Sequence, residues 1–249
     1  MSNSVRNLPF SKLLNTRDLG GLPAMGGKHI KPQTFLRAAS LYQLPPTDGD
    51  KLVRECKVAY DIDLRIEKEL SRQPDTPLPG VDYRHYQLRE DVMEYFPNVP
   101  SMPQMYLNMV SKENSLGALR NIFRLFFDEV APGEKAALFH CSEGKDRTGI
   151  VAALLEDLLG VPRDIILEDY ILSNEAFDKR NQRYYRATRL VMRKKRADAF
   201  RKTYEADKTM LLDMFDFVEK NYGSTENFFL EALGFTQEEI DAFRDKVLA

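Results

Sequence analysis

Residues 136–159 leave this chain the fewest ways to fold. The run Ala136-Ala137-Leu138-Phe139 suits a buried strand, residues 140–149 are polar and glycine-bearing, and 150–159 is apolar with helical spacing until Gly160 and Pro162 stop it. A strand that turns through a short loop into a helix brings backbone N–H groups and a helix N-terminus to one point, which makes an anion cradle. The loop reads His140-Cys141-Ser142-Glu143-Gly144-Lys145-Asp146-Arg147-Thr148-Gly149, so five residues separate a cysteine from an arginine there.

The rest of the chain supplies partners for that unit. Strands are predicted over 34–38, 58–64 and 81–88, with a short helix over 48–56 and a loop over 73–80 that holds three prolines in eight residues. Residues 102–130 are helical in pattern, and after Cys141 the chain reads almost entirely as helix, over 150–159, 163–174, 175–206 and 209–222. Ser224 and Thr236 stand where N-caps belong, and Thr236-Gln237-Glu238-Glu239 fits a capping box. Short strands alternating with longer helices predict an α/β fold, a mostly parallel central sheet of four to five strands flanked by helices, with a largely helical C-terminal half. No repeat or linker divides residues 1–249, which are read as one domain.

Composition narrows the classes. With 43% hydrophobic and 30% charged residues the chain is ordinary for a globular protein, and a net charge of −2 gives no general attraction to nucleic acid. The first ten residues lack the apolar core of a signal peptide, so a cytoplasmic location is expected. The two cysteines, Cys56 and Cys141, argue for a reducing compartment rather than a disulfide framework. Cys56 precedes one strand and Cys141 follows another, at opposite sheet edges. Seven strand residues span roughly 23 Å at ~3.3 Å each, far beyond disulfide reach. Cys56 is read as a buried small apolar residue.

The loop has the parts that a phosphomonoester dianion requires. Cys141 is the candidate nucleophile, a thiolate that would form a cysteinyl-phosphate for water to hydrolyse. Arg147 offers a planar fork for two phosphate oxygens. Gly144 and Gly149 allow tight turns with inward amides, and the Thr148 hydroxyl can donate to the sulfur. Ser142, Glu143, Gly144, Lys145, Asp146, Arg147 and Thr148 are the candidate phosphate-binding set. His140 is read as orienting the loop through backbone bonds. No metal or other cofactor is called for.

These residues resemble the Cys-x5-Arg signature of protein tyrosine phosphatases. More narrowly, Gly144-Lys145-Asp146-Arg147-Thr148-Gly149 is similar to the loop of the bacterial atypical tyrosine and lipid phosphatases. Residues 15–21, Ile62-Asp63-Leu64-Arg65, Asp169-Tyr170-Ile171-Leu172-Ser173-Asn174 and Tyr222-Gly223-Ser224 extend the resemblance over about 15–248. It implies a metal-independent phosphatase of a family that acts variously on phosphotyrosine, phosphoserine or phosphothreonine and phosphoinositides, with phosphotyrosine proteins the first expected substrate and inorganic phosphate the product.

The chain has no tryptophan, so the usual tryptophan-proline-aspartate loop that carries the general acid is absent. Asp63, at the end of a strand on the same sheet edge as Cys141, is the preferred acid, and similar phosphatases carry an aspartate there with that role. Asp146, inside the cradle, is the competitor. Lys145 reads either as a second cation for multiply phosphorylated lipids or as a solvated lysine. Asp169, Ser173 and Asn174 are read as tying the following helices to the cradle.

From 179 to 202 there are eleven Lys or Arg against one acid, Asp198. Phe177, Tyr184, Thr188 and Val191 form an apolar stripe along the same helix. Residues 176–206 are therefore read as a basic helix that either packs its stripe into the core or covers the site as a lid or docking segment, with at most weak attraction to a membrane surface. Rival chemistries are a rhodanese-type sulfurtransferase, against which Arg147 and Thr148 argue, and a phosphate-binding module without turnover. An arsenate reductase would need resolving cysteines that this chain lacks.

Overall fold

A computed structural model describes residues 8–88, 101–194 and 205–249. Five strands form one sheet in the order β1-β2-β5-β3-β4: β1 (Arg17–Asp18), β2 (Phe35–Ala38), β3 (Val58–Asp63), β4 (Asp82–His85) and β5 (Ala136–His140). Only β1 runs antiparallel to its neighbour, so the sheet is mostly parallel as predicted. Ala38, Asp63 and His140 lie in register at one edge, at the carboxyl ends of three adjacent strands. A chain leaving β5 there must turn in front of all three, which is where open parallel sheets place their ligands.

The period of two along the strands sorts the core. Phe35 and Phe139 enter the larger core, while Leu36 and Leu138 enter a smaller one on the opposite face with Val58, Leu52 and Cys56. The helices among the described residues are α1 (Pro46–Arg54), α2 (Glu67–Arg72), α3 (Met102–Met109), α4 (Glu113–Asp128), α5 (Asp146–Leu158), α6 (Arg163–Val191), α7 (Lys208–Tyr222), α8 (Thr225–Glu231) and α9 (Gln237–Val247). In α5, 11 of the 13 residues are buried, including its first-turn Arg147 and Thr148. A helix apolar all round must be enclosed on all sides, and α5 accordingly sits between the sheet and the C-terminal helices. Stacking of Phe127 on Phe243, with centroids 4.0 Å apart, fixes α9 to α4.

Several predicted boundaries shift. The helical span 102–130 is two helices, broken at Val110, which is fully buried with no glycine or proline to mark the turn. The predicted break near 174 does not occur, and α6 runs unbroken for 29 residues. The short α2 was not foreseen, having no buried residue to leave an apolar pattern. Both predicted N-caps form: Ser224 Oγ accepts from the Asn227 amide at 3.0 Å, and Thr236 and Glu239 close a capping box. Cys56 is buried, and burial pushes its thiol up to about 11. Of the basic segment, 195–204 lies outside the described residues. Before it, Phe177 is buried, but Tyr184 and Val191 are 50% and 79% exposed, so the stripe packs into the core only at its first member. Among the described residues, no helix is long and apolar enough to cross a membrane.

Candidate active site

The cradle forms because Gly144 lets the chain double back. Its φ is +63°, and a Cβ there would sit 2.1 Å from the Ala38 carbonyl oxygen, so no other residue fits. Gly149 acts differently from the turn role read for it. It lies within the first turns of α5, and its missing side chain admits the Tyr170 ring, which a Cβ would meet at 2.9 Å.

Three buried polar residues hold the outside of the loop. Asn15 donates from Nδ2 to the carbonyls of Glu143 and Gly144, both at 2.9 Å, and to Ser173 Oγ at 3.2 Å. Arg37 donates to the Gly144 carbonyl at 3.0 Å and to Asp169 at 2.8 Å. Arg17 grips Asp169 through two nitrogens, at 3.0 and 3.1 Å. The scattered segments around Asn15, Asp169 and Ser173 thus meet at one brace, and Asn174 adds a pair of hydrogen bonds with the Ala206 backbone.

Inside the loop, Cys141 is 2% exposed. Burial alone would raise its thiol, but the Arg147 charge and the Thr148 hydroxyl and amide outweigh it, so the thiol lies below its ordinary value despite the nearby Asp146. Thr148 Oγ1 is buried with no hydrogen-bond partner of good geometry, so no other group competes for it beside the sulfur. A cavity of about 220 Å³ opens on Cys141. Ser142, Glu143, Lys145, Asp146 and Arg147 line one side; Met102, Met105, Tyr106 and Met109 of α3 line the other.

Asp146 is in this cavity, and its Oδ1 accepts from Tyr106 Oη at 2.6 Å, which is in turn 2.6 Å from Tyr170 Oη. Asp63 stands beside β5 at the expected sheet edge but does not line the cavity. Its carboxylate is fully buried and accepts from the Arg65 amide, from Arg65 Nε and Nη2 and from Tyr83 Oη. Burial would raise that carboxyl, but His140 and Arg65 together hold it well below the usual range. Lys145 is 2% exposed, with Glu143 and Asp146 at 3.9 and 3.7 Å, so it is neither a solvated lysine nor an unopposed second cation. Glu143 also takes Arg180 of α6 at 2.7 Å, which joins the basic helix to the loop. His140 is buried, its Nδ1 3.4 Å from the Cys141 carbonyl, the kind of backbone contact expected of it, and its Nε2 3.1 Å from Asp61 and 3.4 Å from Asp75.

Glu69 is the functional residue that sequence reasoning missed. From α2 its carboxylate accepts from Arg147 Nη1 at 2.5 Å and Nη2 at 2.8 Å and from Ser142 Oγ at 2.5 Å, while Oε2 also takes the Ile66 amide at 3.0 Å. Burial opposes its charge, yet these donors pull its carboxyl down to about 2. The one local signal, a glutamate three residues after a helix start, accounts for the Ile66 bond alone. Nothing in it points 78 residues ahead to Arg147.

A parallel sheet edge, a buried low thiol and an arginine braced at a helix N-terminus define a cysteine-centred oxyanion site. A family model described as "Tyrosine phosphatase family" matches residues 8–249, and the chain belongs to that family. It is 35% identical over 161 residues to a tyrosine-protein phosphatase of Nostoc commune, covering 61% of this chain and 52% of that protein. To a putative tyrosine-protein phosphatase of Cupriavidus necator it is 29% identical over 183 residues, covering 71% and 66%. A 75-residue stretch, 30% of this chain and 25% of the other, is 36% identical to the triple specificity protein phosphatase PtpB of Mycobacterium tuberculosis. The chain thus spans between a quarter and two thirds of the length of these relatives. Among solved structures, P. aeruginosa TpbA in complex with pTyr is similar at 16% identity with a TM-score of 0.35, covering 57% of this chain and 70% of that one.

Proposed function

We propose that the chain hydrolyses phosphomonoesters through a cysteinyl-phosphate. The observation that carries this reading is the buried Cys141 held low by Arg147 and Thr148 at the floor of a cavity. The sulfur attacks phosphorus, the S–P bond forms, and the bond from phosphorus to the leaving oxygen breaks while that oxygen takes a proton. Water then attacks phosphorus, the S–P bond breaks, and inorganic phosphate leaves. Arg147 and the loop amides stabilise the charge on the phosphoryl oxygens in both steps.

Proton transfer is assigned to Asp146. It borders the same cavity as the sulfur; Tyr106 fixes its Oδ1, and Oδ2, 3.7 Å from Lys145, is the oxygen that serves the leaving group and then the attacking water. Asp63 is reserved for structure, because its carboxylate is already committed to Arg65.

The favoured substrate is a phosphotyrosine side chain. The methionines of α3 present soft apolar surface opposite the cradle, suited to an aromatic ring, and the curated relatives carry tyrosine phosphatase names. Phosphoinositide headgroups find less support, since Lys145 is shared between two carboxylates. Residues 176–191 with the basic stretch beyond are proposed as a docking arm joined to the loop at Glu143. The test is turnover of phosphotyrosine peptide and p-nitrophenyl phosphate in chelator. Wild type should turn over and trap a phosphoenzyme on rapid quench, and Cys141→Ser should do neither. Undiminished turnover by Cys141→Ser would reject the mechanism.

A further inference from the structure

A second cavity, of about 370 Å³, is used by none of this chemistry. It lies between β3 and the proline-bearing loop before β4, walled by Leu70, Pro74, Pro77, Leu78 and Val81, with Asp61, Asp75, Thr76 and Tyr83 as its polar members. Loop and wall are preformed: the Leu41 amide donates to Asp75 Oδ1 at 2.7 Å, and the Leu44 amide to Thr76 Oγ1 at 2.9 Å.

The charges behind this cavity do not balance. Among the described residues, the cations facing Asp61, Asp63 and Asp75 are Arg65 and His140. Asp61, Asp63, Arg65 and His140 are buried and Asp75 is half-buried, with neutral donors to Asp63 from Tyr83 and to Asp75 from the Leu41 amide. With His140 protonated, since its carboxylate neighbours overcome burial and raise it to about 10, three carboxylates oppose two cations. Asp75 carries the consequence: burial first, then Asp63 and Asp61, push it up to about 7 against His140 and Arg65. Asp61 is 4% exposed and borders the cavity, and its Oδ1 has no hydrogen-bond partner of good geometry, only the His140 charge at 3.1 Å.

We propose that this cavity is a second binding site, taking a small organic cation whose ammonium head sits at Asp61 and Asp75 and whose apolar body lies along Leu70, Leu78 and Val81. One positive charge neutralises the surplus carboxylate, and the apolar wall accounts for the body. Asp61, Asp75 and His140 bring potential metal ligands within 4.8 Å of one another. A bare metal fits worse, because His140 would have to give up its proton and Arg65 already occupies Asp75. Helix α2 is shared between the two sites, with Leu70 in this cavity and Glu69 on Arg147.

Calorimetric titration of the full chain with benzylammonium and with benzyl alcohol, its neutral counterpart, tests this without reference to turnover. Benzylammonium should bind at least ten times more tightly than the alcohol. Asp61→Asn should erase the difference, and Val81→Phe, which fills the cavity and leaves the charges alone, should abolish both even if Asp61→Asn does not fold. Saturating inorganic phosphate should change neither. Equal binding of the two probes, displacement by phosphate, full binding by Val81→Phe, or uptake of zinc in place of the ammonium would overturn the proposal.

Discussion

Arg65 and Arg147 are both buried guanidiniums gripped by carboxylates, yet they have opposite freedom. Arg65 spends every nitrogen: Nε and Nη2 on Asp63, Nη2 also on Asp75, and Nη1 on the Gln73 carbonyl at 2.7 Å. Arg147 spends only Nη1 and Nη2, on Glu69, and among the described residues Nε has no partner. A guanidinium has five N–H groups. When a carboxylate takes the end-on pair, the side edge stays available for two oxygens of an anion. The same ion-pair chemistry is a strut at Arg65 and a held tool at Arg147, and the count of uncommitted donors separates them.

The largest test of that contrast exchanges each arginine for lysine. Arg147→Lys should lower kcat/KM for aryl phosphate by about 10³-fold, since a point charge cannot copy the fork, with little change in melting temperature. Arg65→Lys should instead cost about 3 kcal/mol of stability, the scale of breaking a buried ion pair, and retain turnover in the folded fraction. Activity assays beside denaturant titrations check both. The contrast fails if the two variants lose the same property.

Next come the paired aspartates. Asp146→Asn should reduce kcat by about 10²-fold on phosphotyrosine peptide and much less on p-nitrophenyl phosphate, whose leaving group needs no proton. Asp63→Asn should destabilise and leave the leaving-group dependence unchanged. A selective loss on the poorer leaving group in Asp63→Asn would reverse the assignment.

Asp75 sharpens the strut side through pH. Its carboxyl lies near 7 in the fold against ~3.9 in the unfolded chain, so the folded state binds this proton more tightly. The contribution is complete below about pH 4 and is lost as pH rises toward 7. Asp75→Asn should flatten that part of the stability profile measured by urea midpoints. The opposite sign applies to Asp63, whose stabilisation is present above about pH 4 and lost only in stronger acid.

The smallest expected effect is at Glu69. Glu69→Gln keeps its size but weakens the charge-assisted bonds that aim Arg147 and Ser142, and KM should rise about tenfold with kcat nearly kept. A normal KM would mean that Arg147 is positioned without it.

How much of this was legible depends on distance along the chain. The strand, loop and helix from Ala136 to Leu158 and both C-terminal N-caps depend on residues within a turn or a strand of each other, and local pattern is enough to read them. The parallel sheet pairs distant strands, and only the alternation of short strands with helices pointed to it. Asp169 is read from sequence as tying helices to the cradle, but the partners of Asp169 and the reach of Asn15 to the loop lie over a hundred residues away, beyond any local pattern. Helix α2 is too short and too exposed to leave a periodicity, so Glu69 went unseen.

The amino-acid sequence by itself determined that a cysteine and an arginine share one glycine-bearing turn at the end of a buried strand, because spacing and polarity there admit few other conformations. Only the tertiary structure placed one carboxylate, Asp146, in the cavity with the sulfur and the other, Asp63, against an arginine. Asp63 and Asp146 are both plausible acids in one dimension. Burial and the direction each side chain takes separate them, and both come from packing between distant segments.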